Sequence, residues 1–318
     1  MARSTAAKRR PEIHEVPPPT LDDESVAALG LVESGDGRGY IGPTGRPMPR
    51  FPEPPQLSRH GPAKVIAMCN QKGGVGKTTS TINLGASIAE YGRRVLLVDF
   101  DPQGALSVGL GVNAHELDLT VYNLLMQRDI TVDDVLQKTN VSGMDLMPSN
   151  IDLSAAEIQL VNEVAREQTL LRVLGPLLDE YDIVIIDCQP SLGLLTVNAL
   201  TAAHSVIVPL ECEFFALRGL ALLTDIMAKV RERLNSHLYL EGILATMYDS
   251  RTVHGREVLE RVVEAFGDGV FHTVISRTVR FPETTVAGEP ITTYAPSSTG
   301  AVGYRQLAKE VLARCHVE

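Results

Sequence analysis

Hydrophobic and polar positions divide the chain near residue 62. Before it, apolar residues follow no period apart from a brief patch over 25–31. Eleven of the 19 prolines lie here, among them Pro17-Pro18-Pro19 and Pro54-Pro55, and each removes a backbone donor. From residue 63 onward, short continuous apolar runs alternate with stretches in which apolar residues recur every three or four positions. The runs, at 64–69, 94–99, 144–147, 181–187, 205–210 and 240–247, read as strands, most of them buried on both faces. The periodic stretches, at 77–91, 119–127, 131–137, 153–163, 168–180, 194–203, 217–234, 254–266 and 300–313, read as helices. Strands alternating with helices predict an α/β fold, a doubly wound and mostly parallel sheet with helices on both faces. The expected division is a disordered proline-rich tail over 1–62 and one α/β domain over 63–318.

Composition narrows the partners. A hydrophobic content of 44% supplies a core, and no apolar run approaches the roughly 20 residues of a membrane span. Arg3, Lys8, Arg9 and Arg10 have no apolar stretch behind them, so a secretory leader is not expected. The four cysteines show no metal-ligand spacing and read as free thiols of a reducing cytoplasm. The formal net charge is −10; residues 1–62 hold eight basic and eight acidic groups, so the acidity belongs to the body. Such a body meets nucleic acid only through a local patch. The tail offers Lys8-Arg9-Arg10 to DNA or to another partner.

Residues 70–79, NQKGGVGKTT, sit between a predicted strand and a predicted helix. Glycines at 73, 74 and 76 allow a tight turn whose amides approach phosphates. Lys77 reaches the β/γ-phosphates, and the Thr78 hydroxyl ligates Mg²⁺. The strict phosphate-loop pattern would place Gly at position 71, which is Gln71, and a second lysine follows at Lys72. Two more predicted strands end in carboxylates, Asp99 with Asp101 two residues beyond, and Asp187. In an open α/β sheet ligands bind beyond the carboxyl ends of the strands, so these groups converge on the phosphate loop. Asp187 suits the strand-end carboxylate of a phosphate-loop NTPase. Of Asp99 and Asp101, one is placed near Mg²⁺ and its waters, the other to orient the attacking water.

KGGVGKTT, then LLVDFDPQGALSVGLG, then IVIIDCQPSLGLLTVNALTAA closely resemble the ParA/MinD family of deviant phosphate-loop ATPases. ILATMYDSRT and SSTGAVGYRQLAKEV extend the likeness to the Soj-type ParA proteins of chromosome and plasmid partition. The resemblance implies that two subunits sandwich two ATP molecules, with Lys72 reaching the partner's phosphates and Gly73 keeping the backbone slim; a lone subunit would keep Lys72 in water. It implies that Gly73, Gly74, Val75, Gly76, Lys77, Thr78 and Thr79 hold ATP, that Thr78 and Asp187 serve Mg²⁺, and that Asp101 holds the hydrolytic water; Asp99 is placed near Mg²⁺ by its strand-end position. Lys72, Lys77, Asp101 and Asp187 are thus the catalytic set. Ser276 and Thr278 stand where relatives carry the Pro and Asn that contact the base. Gln189 and Arg218 are further departures, replacing a proline and a glutamate of the family. Arg251 and Arg280 match arginines that bind DNA without sequence preference.

The implied function is a dimerising ATPase that positions chromosomal or plasmid cargo on the nucleoid with a ParB-like partner. The alternatives are a divergent ParA paralogue with another cargo, a MinD-like regulator acting at a membrane, and a dimerising module with negligible turnover. The stripe Tyr304, Leu307, Val311 and Leu312 on the last helix reads as core packing, not as a lipid face. A reductase of nitrogenase iron-protein type is excluded by the cysteine positions.

Overall fold

The computed structural model describes residues 23–315 apart from 36, 38, 214 and 215; the side chain of residue 115 is likewise left aside. Seven strands form the main sheet: β1 (Lys64–Met68), β2 (Val95–Phe100), β3 (Gln137–Lys138), β4 (Met144–Met147), β5 (Ile183–Cys188), β6 (Ser205–Glu211) and β7 (Tyr239–Thr246). Their order is β3-β4-β2-β5-β1-β6-β7, all parallel except the two-residue edge strand β3. Alternate residues of each strand enter opposite core layers. Val65 and Ala67 face one with Leu96 and Val98, and Ile66 and Met68 face the other with Val95 and Leu97. This two-sided burial is what makes the strands read as unbroken apolar runs.

The helices that serve the site are α1 (Lys77–Glu90), α2 (Ala105–Gly109), α3 (Leu153–Gln159), α4 (Leu194–Ala202), α5 (Ala216–Arg233), α6 (Val253–Phe266), α7 (Arg280–Ala287) and α8 (Thr299–Cys315). Helix α1 lies tight on the sheet, because a Cβ at Gly85 would stand 2.7 Å from Leu97 Cδ2. Tyr304, Leu307, Val311 and Leu312 of α8 are buried, as their spacing predicts.

Two helical expectations change. The 131–137 stretch is a 3-10 turn, Val132–Asp134, leading into β3, where Asp134 accepts the Thr131 amide and hydroxyl at 2.9 and 2.6 Å. The 168–180 stretch breaks at Pro176 into a helix, Thr169–Leu174, and a 3-10 turn, Gly175–Leu177.

The tail expectation over 1–22, including Lys8-Arg9-Arg10, lies outside the described residues. The described residues between 23 and 62 depart from it: they pack on the body. A helix, Asp23–Ala28, lies against α8, and Leu29 and Leu31 are buried. Val32–Glu33 pairs with Tyr40–Ile41 as a small hairpin. Beyond it, Arg46 donates to the carbonyls of Val270 and Gly267 at 2.7 and 2.9 Å. Arg93 donates to the Pro55 carbonyl at 2.7 Å, and His60 Nδ1 lies 2.8 Å from Asp182. The segment makes little regular structure of its own; side chains and carbonyls of the body satisfy it. That arrangement leaves no periodicity in the sequence.

Candidate functional site

The strand register assembles the site. Met68 pairs with Asp187 across β1 and β5, and Asp187 with Asp99 across β5 and β2. The phosphate loop therefore leaves β1 directly beside two strand-end carboxylates. Gly74 and Gly76 have φ of +75° and +82°, left-handed values that explain glycine at both positions. Gly73 is different. Its φ is not left-handed, and an added Cβ would touch nothing of its own chain closer than Pro190 at 3.9 Å.

The loop is braced from β6 and β7. Asn70 donates to the Pro209 carbonyl at 2.8 Å and accepts the Lys72 amide at 3.0 Å, while the Thr246 hydroxyl donates to the Val75 carbonyl at 2.8 Å. Lys77 is almost fully buried, and its ammonium donates to the Lys72 carbonyl at 3.1 Å. Thr78 Oγ1 donates to Asp187 Oδ2 at 2.7 Å, and Thr81 Oγ1 to Asp187 Oδ1 at 3.4 Å. Thr79 faces a neighbouring cavity. Burial drives the Asp187 pKa up to about 7, with Asp101's charge adding to the rise, while the Thr78 hydrogen bond and Lys77 oppose it. A buried carboxylate 2.7 Å from the phosphate-loop hydroxyl, with an ammonium beside it, fits a hydrated Mg²⁺ on a nucleotide.

Asp99, expected near the metal, has protein partners at both of its oxygens. Its Oδ2 accepts the Ser107 amide and hydroxyl at 2.8 and 2.7 Å, and its Oδ1 accepts the Asp101 amide at 3.3 Å. These contacts tie β2 to α2. Burial, with Asp187 next to it, pushes its pKa up to about 8. Asp101 is half-buried at the head of the turn into α2 and caps the Gln103 amide at 3.0 Å.

Lys72 is exposed to water and is also paired within its own chain. Its ammonium stands 2.6 Å from Glu213 and 3.3 Å from Glu211 of the same chain. Glu211 in turn takes Arg277 at 2.9 Å. Neither glutamate was among the expected site residues. The strand-end rule that singles out Asp99 and Asp187 would have reached Glu211 had the 205–210 run been extended by one residue. Glu157 of α3 was missed as well: it accepts the Gln189 side chain at 3.0 Å and the Leu195 amide at 3.4 Å, fixing the loop after Asp187.

Beside the loop lies a cavity of about 330 Å³, lined by Gly76, Thr79, Met247, Arg277, Thr278 and Phe281 among others. Its walls are mostly apolar and of a size for a nucleotide base. Thr278 belongs to it. Ser276 does not line it; it pairs through its backbone with Tyr248. Arg277 also donates its amide to the Tyr248 carbonyl at 3.1 Å, so the segment leading to Arg251 runs beside the one leading to Arg280 at the start of α7. Both arginines are exposed and already paired, Arg251 with Asp249 at 2.8 and 2.9 Å and Arg280 with Glu283 at 2.9 Å. The Arg251 partner's pKa is pulled down to about 2 by those hydrogen bonds. Arg218 opens α5. Among the described residues, no helix is long and apolar enough to cross a membrane.

Residues 63–240 match the family described as an AAA domain, more than half of the chain. A protein of Mycobacterium tuberculosis is 65% identical over 300 residues, 94% of each chain. Sporulation initiation inhibitor protein Soj of Bacillus subtilis is 49% identical over 250 residues, 79% of this chain and 98% of Soj. The solved structure of cobyrinic acid a,c-diamide synthase from Mycobacterium smegmatis with bound ADP and magnesium is 43% identical, with a TM-score of 0.69 over 77% of this chain and 92% of that one. With a phosphate loop seated beside Asp187 and relatives of this identity over nearly the whole body, the chain belongs to the ParA/MinD family of phosphate-loop ATPases, on its Soj side.

Proposed function

We propose that this chain is a Mg²⁺-dependent ATPase that dimerises around ATP, binds DNA without sequence preference, and positions chromosomal or plasmid cargo with a ParB-like partner. The observation that carries the reading is the pair of lysines in one loop. Lys77 is buried over the loop backbone, where a phosphate-neutralising lysine belongs, whereas Lys72 points away to the rim beside Glu213. One phosphate site has use for one such lysine, and the second serves a site on another subunit. Gly73 supports this, because nothing within its own chain requires glycine there and a bare backbone suits close approach.

In this reading Lys77 and the amides of 73–79 cradle the phosphates. Thr78 and Asp187 hold the metal and its water shell, and Mg²⁺ when bound neutralises charge building on the phosphates. Asp101 orients the attacking water from the turn into α2. Asp99 acts one step back, fixing that turn through Ser107. Thr278 and Phe281 close over the base, and Arg251 and Arg280 meet DNA phosphates after exchanging their acidic partners. The site of action is cytoplasmic and nucleoid-associated.

The test is a DNA-retardation assay with ATP, with ADP and without nucleotide, run beside liposome flotation. Retardation by the ATP form alone supports the reading. ATP-dependent flotation without DNA binding would favour a MinD-like regulator. Phosphate release that needs cobyrinic acid, without response to DNA, would favour the diamide-synthase chemistry named for the 43% identical structure.

A further inference from the structure

Lys72, Glu211, Glu213 and Arg277 form one cluster that joins two loops. Glu211 closes β6 with its side chain 14% exposed, and both its oxygens are engaged: Oε2 faces Lys72 at 3.3 Å and Oε1 accepts Arg277 at 2.9 Å. Glu213 adds the closer contact to Lys72, at 2.6 Å, from a more exposed position. The Lys72 backbone is fixed through Asn70, so only the side chain is free to leave. One carboxylate thus serves two cations. One cation comes from the phosphate loop; the other comes from a residue that also lines the base cavity.

We propose that Glu211 and Glu213 are positioning residues that hold Lys72 within its own chain and so set the ATP concentration at which the dimer forms. Dimerisation transfers the ammonium from two carboxylates to the phosphates held by the second subunit. The stronger the intrachain hold, the smaller the fraction of chains with Lys72 ready, and the apparent affinity for the second subunit falls by that fraction. Arg277 weakens the hold by competing for Glu211. A base entering the cavity meets Arg277, so occupancy of the cavity and release of Lys72 are linked through that shared carboxylate. This inference rests on the ATP-dimer reading above.

The experiment uses the full chain carrying Glu213→Gln, Glu211→Gln or Glu213→Asp, beside the wild type. Analytical ultracentrifugation across an ATP series gives the midpoint of dimer formation, and a thermal melt of each variant reports folding. Exposed ion pairs of this kind hold by a factor of about 2 to 5, so Glu213→Gln is expected to lower the midpoint by about that factor. Glu211→Gln lowers it as well, and Glu213→Asp, which keeps the charge, returns most of the way to wild type. A merely structural role would shift the melt and leave the ATP midpoint in place. If the wild type dimerises with ATP and both Gln variants match it or need more ATP, the hold is overturned. If the wild type stays monomeric at saturating ATP, the dimer reading itself fails and the hold falls with it. Glu213 is exposed, so its variants remain informative should Glu211→Gln fold poorly.

Discussion

The two ends of the nucleotide site are built on different physics. At the phosphate end, Asp187, Lys77 and Asp99 are buried and engaged by neighbours from other elements, at distances set by strand register. At the base and rim end, Arg251 and Arg277 stand on exposed loops and Arg280 at the exposed start of α7, each paired with a nearby carboxylate. A buried arrangement is preorganised, because its partners have nowhere else to go, and breaking it leaves a desolvated polar group. An exposed ion pair is worth little and trades partners readily. The phosphate end is therefore suited to constant chemistry, and the rim to exchanging acidic side chains for a phosphate backbone or a second subunit.

Substitutions at each end sharpen the contrast. The largest effect is expected from Lys77→Ala, which should weaken ATP binding at least about 100-fold by removing the cation seated over the phosphates. Titration with a fluorescent ATP analogue checks it, and unchanged affinity would contradict the phosphate-loop assignment. Arg251→Glu combined with Arg280→Glu should cost about 10- to 100-fold in DNA affinity and reduce the salt slope by about 2. ATP-driven dimerisation should survive, and DNA retardation at several salt concentrations tests both halves of the expectation.

A smaller effect belongs to Asp99. Its folded pKa of about 8 lies above the ordinary carboxylate value, so between the two the folded chain keeps a proton that the unfolded chain has released. Stability from this group is fully present below the ordinary value and is lost as pH rises toward 8, with a slope of at most about 1.4 kcal/mol per pH unit. Asp99→Asn should flatten the nucleotide-free melting temperature between pH 5 and 8, and parallel curves for the two proteins would refute it. The smallest effect is expected at Arg46→Ala, which removes donors to the Val270 and Gly267 carbonyls and should cost about 1–3 kcal/mol. Urea unfolding measures that, with ATP binding expected to hold.

The phosphate end was legible in the sequence because its signals are local. Glycines, lysine and threonine stand at fixed spacing, and two apolar runs each stop at an aspartate. The rim was legible only through resemblance, and incompletely. Thr278 reached the base cavity, Ser276 turned into a backbone pairing with Tyr248, and the carboxylates that hold Lys72 went unseen. Glu211 ends a strand by one residue more than its apolar run shows, and Glu213 acts from an irregular stretch after it. Asp99 kept its strand-end position, but its partner Ser107, eight residues on, which claims one oxygen twice, went unseen. Side-chain partners at such separations follow from the turn, which periodicity does not report. Residues 23–62 show the same limit at larger scale, since the groups that fix them belong to α8, Asp182 and the 267–271 turn.

That segment has a mechanical consequence. Its anchors, Asp182 before β5, Arg93 before β2 and the turn after α6, gather at the amino ends of the strands, the edge away from the phosphate loop. Tension applied through the chain before residue 23 would enter through the helix resting on α8 and spread into that edge. Helix α8 also carries Tyr304, which lines the base cavity and lies 3.1 Å from Ser80 of α1, so a pull from the amino-terminal side would reach the base end of the nucleotide site through α8.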